Sequence, residues 1–180
     1  LSATTASSNT ALGANALFST TTGANIVAIG RYAGYYNQTG GNNVYVGGNS
    51  AVGGAGYNAT GSDNTFIGSN AGYEITSGEK NTIIGRYDGN GSGLDIRTSD
   101  NNIVLSDGDG NPRLYYTNAD TSWRSAEIYA TTTGDSANMV SLSSGTIARS
   151  TSALKYKQDI RDLEEMNIGL LRPVRYKSKC

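Results

Sequence analysis

GSDNTFIGSNAGYEITSGEKNTIIGRYDG, residues 61–89, says the same thing twice. NTFIG at 64–68 returns as NTIIG at 81–85, and the Gly three residues ahead of each Asn (Gly61, Gly78) returns with it. Aligned on the last Gly of the motif, the pattern extends both ways: NTALG, IVAIG, NVYVG, NTFIG, NTIIG and a degenerate NIVLS. The anchors are Gly13, Gly30, Gly47, Gly68, Gly85 and Ser106, at steps of 17, 17, 21, 17 and 21 residues. The residue before the anchor is always aliphatic: Leu12, Ile29, Val46, Ile67, Ile84, Leu105. Two residues earlier it is always β-branched: Thr10, Val27, Val44, Thr65, Thr82, Ile103. Between them the residue varies freely: Ala11, Ala28, Tyr45, Phe66, Ile83, Val104. A period of two predicts a short β-strand with one constant and one variable face. The constant face is expected to point into a core, and the variable one to meet solvent or a neighbour.

Gly23, Gly40, Gly61 and Gly78 each lie seven residues before an anchor. A Gly at a fixed place marks a corner that needs a positive φ or close backbone approach. Both 21-residue steps carry their extra residues between an anchor and the next corner, in VGGAGYN and NGSGLDI. Insertions confined to one segment are loops on one side of a solenoid. Asn9, Asn43, Asn64, Asn81 and Asn102, four before the anchor, are expected to stack as a ladder that caps the turn. The fold class is therefore all-β: a repetitive β-solenoid or triple-β-helix-like fibre. One such coil buries about two aliphatic side chains. That does not offset the backbone entropy of ordering seventeen residues, ~1–2 kcal/mol each. The chain is expected to pool its narrow apolar faces with identical copies, as a parallel homotrimer.

Composition fits a fibre better than an enzyme. The chain has 180 residues, 24 of them Gly and only 2 Pro, so neither a collagen nor a Pro-rich linker is in view. There is no His and a single Cys, Cys180, which removes His catalysis and zinc sites built from His or several Cys; no cofactor or metal is expected. A net charge of −1 gives no surface for nucleic acid. No apolar run approaches the ~20 residues of a membrane span, and LSATTASSNT does not read as a signal peptide. Only Arg31, Asp63 and Glu74 are charged in residues 1–78, against eleven charges in 152–180. Three regions follow: a shaft over 1–106, a β-rich non-repetitive section over 107–151, and a different segment over 152–180.

In the middle section DGDGNP reads as a hairpin turn. Asp107, Asp109 and Asn111 have the spacing of calcium-binding oxygens, but no bidentate Glu follows, and a turn is the expected role. Trp123, the single Trp, is expected to pack rather than to serve as a sugar platform. Tyr32, Tyr35, Tyr36, Tyr45, Tyr57, Tyr73 and Tyr87 fall on variable or turn positions. They read either as shields between coils or as stacking surfaces for host glycan. In the last segment Asp159 is a candidate N-cap for an amphipathic helix, IRDLEEMNIGLL, ended by Pro173.

TGANIVAIGRYAG, TGSDNTFIGSNAG and SGEKNTIIGRYDG resemble the shaft repeats of bacteriophage tail fibres and tailspikes, and equally the head repeats of trimeric autotransporter adhesins. SALKYKQDI followed by LRPVRYK resembles the start of the endosialidase-type C-terminal intramolecular chaperone domain of phage fibres. In that family a Ser and a Lys five residues later form a self-cleavage dyad. The resemblance assigns these roles to Ser152 and Lys157, with the scissile bond at Thr151–Ser152. The chemistry is coherent: a Lys whose pKa falls from ~10.4 through burial or a like charge such as Lys155 can take the hydroxyl proton. The resemblance implies a homotrimeric virion component that contacts other tail proteins and host glycan and is made in the host cytoplasm. Its only catalysis would be its own cleavage. A glycan-degrading role would need clustered carboxylates, and those of the repeat are few and scattered.

Overall fold

The computed structural model describes residues 5–48, 51 and 53–125, together with the two strands Met139–Ser141 and Ile147–Arg149. The chain divides into two compact units, Leu1–Thr131 and Thr132–Cys180. In the first, strands β1 (Thr10–Leu12), β2 (Val27–Ile29), β3 (Val44–Val46), β4 (Thr65–Ile67) and β5 (Thr82–Ile84) pair in sequence order, each parallel to the next. The second insertion folds into a small hairpin, β6 (Asn90–Gly91) with β7 (Leu94–Asp95). β8 (Ile103–Ser106) then rejoins the main sheet parallel to β5. Beyond it the sheet turns antiparallel through β9 (Pro112–Thr117) and β10 (Ser122–Arg124), around the turn expected at DGDGNP. In the second unit β11 (Met139–Ser141) pairs antiparallel with β12 (Ile147–Arg149). The expected helix after Asp159 lies outside the described residues. No helix among the described residues is long and apolar enough to cross a membrane.

Every strand sits in the register the repeat demands, Thr10↔Val27↔Val44↔Thr65↔Thr82↔Ile103. Strands β1 to β5 stop after three residues because the anchor glycines that follow them take φ values of +112° to +148°. An L side chain rarely adopts that backbone, so the chain leaves the sheet there. The preceding corner is made differently. Asn25, Asn42, Asp63, Lys80 and Asn101 hold φ near +60°, and each donates its N–H to the coil before it, as from Asn42 to the Ala24 carbonyl at 2.9 Å. The corner glycines Gly23, Gly40, Gly61 and Gly78 are needed for closeness, not for φ: a β-carbon on Gly23 would stand 2.6 Å from the Gly40 carbonyl oxygen.

The faces of the strand are the reverse of those expected from the sequence. The variable residues Ala28, Tyr45, Phe66, Ile83 and Val104 are all fully buried and fill the coil interior. The constant aliphatic residues look outward: Ile29, Ile67, Ile84 and Leu105 are 37–45% exposed, and Leu12 66%. The interior tolerates variation because a second column compensates for it. Gly34, Gly56 and Gly72 face the Tyr45 and Phe66 rings, and a β-carbon on Gly34 would stand 2.7 Å from Tyr45 Cδ2. In the same column of the first coil, where the neighbouring strand supplies only Ala28, a buried Leu17 takes up the volume. Close packing thus conserves the sum of two side chains, not either one. Ala16, Ala33, Ala55 and Ala71 complete the interior as a column of small side chains.

The Asn ladder forms as expected. Asn64 donates its amide to the Gly78 carbonyl at 2.9 Å and accepts from the Asn81 backbone N–H at 2.9 Å. Asn43 makes the equivalent pair with Gly61 and Asn64, and Asn81 with Ser99 and Asn102. Asn9 does so with Gly23 and with Ile26, which stands where the ladder lacks its Asn. Each Asn thereby satisfies one buried donor and one buried acceptor at the corner of the next coil.

Candidate functional site

Three surfaces come from this frame. The first is aromatic. The residue after each of Leu17, Gly34, Gly56 and Gly72 is a ring, and these rings pile up along the solenoid. Phe18 stacks on Tyr35 (centroids 5.1 Å), Tyr35 on Tyr57 (5.2 Å) and Tyr57 on Tyr73 (5.3 Å). Tyr36 and Tyr32 stand perpendicular or nearly so beside Tyr35 and Tyr57. Arg31 lies 4.7 Å from the Tyr32 ring centre and donates to its hydroxyl at 3.2 Å, which holds that phenol below its usual pKa. The flat faces within the pile are occupied by one another, so these tyrosines shield successive coils. Phe18 at its end and Tyr36 at its side keep 49% and 44% of their surface open.

Tyr45 and Tyr87 belong to neither role expected for the tyrosines. Both are fully buried: the Tyr45 hydroxyl accepts from Asn37 Nδ2 at 3.2 Å, and that of Tyr87 donates to the Leu94 carbonyl at 2.6 Å. Burial pushes both phenols well above their ordinary value, and for Tyr87 the carboxylates of Asp88 and Asp95 add to the rise. The sign of the consequence is fixed. A folded-state pKa above the unfolded value of ~10 leaves stability intact below that pH and removes it above. The unfolding free energy should stay level to about pH 9 and then fall by up to about 1.4 kcal/mol per pH unit for each of the two groups. Urea midpoints at pH 8 and pH 11, with Tyr45→Phe alongside, check this; a wild type no weaker at pH 11 would contradict the assignment.

The second surface is a polar cleft of about 260 Å³ where the β6–β7 hairpin meets the 107–111 turn, lined by Asn70, Arg86, Asp88, Asn90, Asp109 and Asn111 among others. Most of its chemistry is committed internally. Asp88 accepts from the Asn90 N–H at 3.0 Å, and Arg86 reaches the Gly108 carbonyl at 3.5 Å. The calcium spacing noted at 107–111 serves the turn. Asp107 accepts from the backbone N–H groups of Asp109 and Asn111 at 3.0 and 2.9 Å and from Arg113 Nε at 2.8 Å. Those bonds, the Asn111 ones foremost, hold its carboxyl well below the ordinary carboxylate range. Among the described residues no group of three or more His, Cys, Asp or Glu could hold a metal ion.

The third surface is the outer face of the sheet. Its rows are the aliphatic line from Leu12 to Leu105, continued by Leu114, and beside it the line from Thr10 to Ile103, continued by Tyr116 and Trp123. Neither row contains a charged residue. Packing is the expectation for Trp123; within this chain it is 51% exposed, and its ring centre lies 5.8 Å from that of Tyr116. Ser152 and Lys157, the residues assigned to self-cleavage, and the Thr151–Ser152 bond lie outside the described residues. The architecture defines the class, a parallel β-solenoid. Comparison with protein-family models, curated proteins and solved structures returned no match.

Proposed function

We propose that the chain is a length of fibre shaft, a structural and adhesive component of a bacteriophage tail fibre or tailspike that works as a homotrimer in the virion. The observation that carries this reading is the uninterrupted stack of six parallel strands in one register, built from a repeat whose text resembles phage shaft repeats. A stack of this kind transmits position and load along its length. The open rings of Phe18 and Tyr36 suit a shaft that touches host glycan, since sugar rings stack on aromatic faces. The 152–180 segment would set the register of three chains before the repeats zip, because a repetitive strand can slip by a whole coil. Ser152 and Lys157 would then release it by hydrolysis of the Thr151–Ser152 bond. The head of a trimeric autotransporter-type adhesin has a similar repeat, and self-cleavage separates the two. The test is the intact mass of the expressed protein beside that of Ser152→Ala. The fibre reading expects a product ending at Thr151 in the wild type and none in the variant. Equal, uncut masses would remove the chaperone segment and favour the adhesin.

A further inference from the structure

We infer that the outer face of the β1–β8 sheet is the seam along which copies of this chain join, side by side, parallel and at the same coil level. The inference rests on the shaft reading above and supplies the contact that such a shaft needs. This face inverts the pattern of an ordinary protein surface. The line Leu12, Ile29, Val46, Ile67, Ile84 and Leu105 is aliphatic in every coil, while the buried position next to it varies from Ala to Tyr. An isolated solenoid has no physical need for constancy on its solvent side and a strong need for it inside. Here the demands are exchanged, so something outside the chain must be reading the outer row.

The chemistry of the face selects the occupant. It carries no charge over six coils, so it offers nothing to a nucleic acid, an acidic peptide or a charged membrane surface. Its side chains recur once per coil, at the ~4.8 Å spacing of neighbouring strands. Only a surface with the same rise keeps apolar groups opposed through every coil, and a second copy has it. Copies at one level also set the β-branched line of one chain beside the aliphatic line of the next.

Area argues for more than two copies. The stripe is two side chains wide, about 7 Å, and eight strands long, about 34 Å, so it presents roughly 240 Å². That is well short of the ~800 Å² per partner of an ordinary stable pair. In a closed ring each stripe is enclosed between two neighbours, so that both of its rows are covered, and a longer stack of coils multiplies the gain. Trp123 and Tyr116, at the C-terminal end of the same face, would be covered in the same step.

Single cysteines test the seam and its polarity. In a Cys180→Ser background, Ile29→Cys and Leu105→Cys place a thiol at two levels of the outer row, and Gln38→Cys places one on exposed surface elsewhere. On mild oxidation each seam variant should give a covalent dimer as its main band, and Gln38→Cys should give only a trace. If mixed Ile29→Cys and Leu105→Cys chains link to each other while neither links to itself, the copies run antiparallel and the inference is overturned. Sedimentation supplies the second arm. Ile67→Asp should reduce the sedimenting mass about threefold to that of one 18.8 kDa chain, while Gln38→Asp should leave it unchanged. A wild type that sediments as a single chain with its strand circular dichroism intact also overturns it. Self-linking chains that show no cleavage at Thr151 would keep the seam and sink the phage-fibre reading, so the two failures are separable.

Discussion

Gly68→Ala is expected to disrupt the centre of the solenoid, lowering stability by about 3–6 kcal/mol, the sum of backbone strain and forced overpacking. Gly68 holds φ at +136°, where an L side chain is strained whatever space surrounds it. There is no space either: a β-carbon would fall on the Gly85 carbonyl of the next coil. Neither partner can yield alone, because the Gly68 N–H is committed to the Val46 carbonyl at 2.8 Å and that of Gly85 to the Ile67 carbonyl at 2.9 Å. Moving one anchor therefore opens a ladder on both sides. Two other glycines separate the causes. Gly93 has φ at +80° with nothing near its absent β-carbon, so Gly93→Ala carries the strain without the collision and should cost about 1–2 kcal/mol. Gly108 has neither problem, and Gly108→Ala should stay within about 0.5 kcal/mol of the wild type. Denaturant midpoints for the three variants measure the order, and a Gly68→Ala chain no weaker than Gly93→Ala would refute the close-approach account.

The anchors were legible because their requirement is local and strict. The same holds for the strand register, which the 17- and 21-residue steps impose on every parallel pair of the main sheet from β1 to β8. The inward and outward faces were not legible, and the reason is physical. Constancy marks a core only where each interior position is filled on its own, whereas this interior pairs one variable residue with a compensating partner in another part of the coil. Tyr45 against Gly34 and Gly56 is one instance, and Phe66 against Gly72 another. The signal was present as a Gly before Tyr35, Tyr57 and Tyr73, but it has meaning only once the distance between those columns is known. The left-handed corner hid for a different reason. Asn25, Asn42, Asn101 and Asp63 are residue types that enter that conformation readily, but Ser8 and Lys80 occupy the same position and break the pattern. The polar cleft was out of reach altogether, since Asn70, Asp88 and Asp109 are brought together by stacking and not by spacing. Serine and lysine five apart, as at 152 and 157, carry meaning only through the flanking text that resembles a chaperone domain.

Asn64→Leu should destabilise the chain by about 3–6 kcal/mol, although leucine shares asparagine's branched side-chain skeleton and is far more apolar. The gain in apolar burial is outweighed by what is stranded. Asn64 is fully buried, and its side chain is the partner of two backbone groups that belong to other residues, the Gly78 carbonyl and the Asn81 N–H. Removing it leaves both unpaired in the interior at about 1–3 kcal/mol each, and the branched leucine end adds overpacking. The loss is confined to one rung, because Asn81 keeps its own side-chain bonds, donating to the Ser99 carbonyl at 2.8 Å and accepting from the Asn102 N–H at 2.9 Å. Asn9→Leu removes a chemically identical pair, to Gly23 and Ile26, but at a site that is only half-buried at the open end of the sheet. Water can replace the lost partners there, and the cost should be about 1 kcal/mol. The contrast between the two sites is the measurement. If urea unfolding gives Asn9→Leu and Asn64→Leu the same loss, the ladder owes its presence to turn propensity. If the buried site loses at least twice as much, the ladder is there because a buried corner must find its hydrogen-bond partners within the chain.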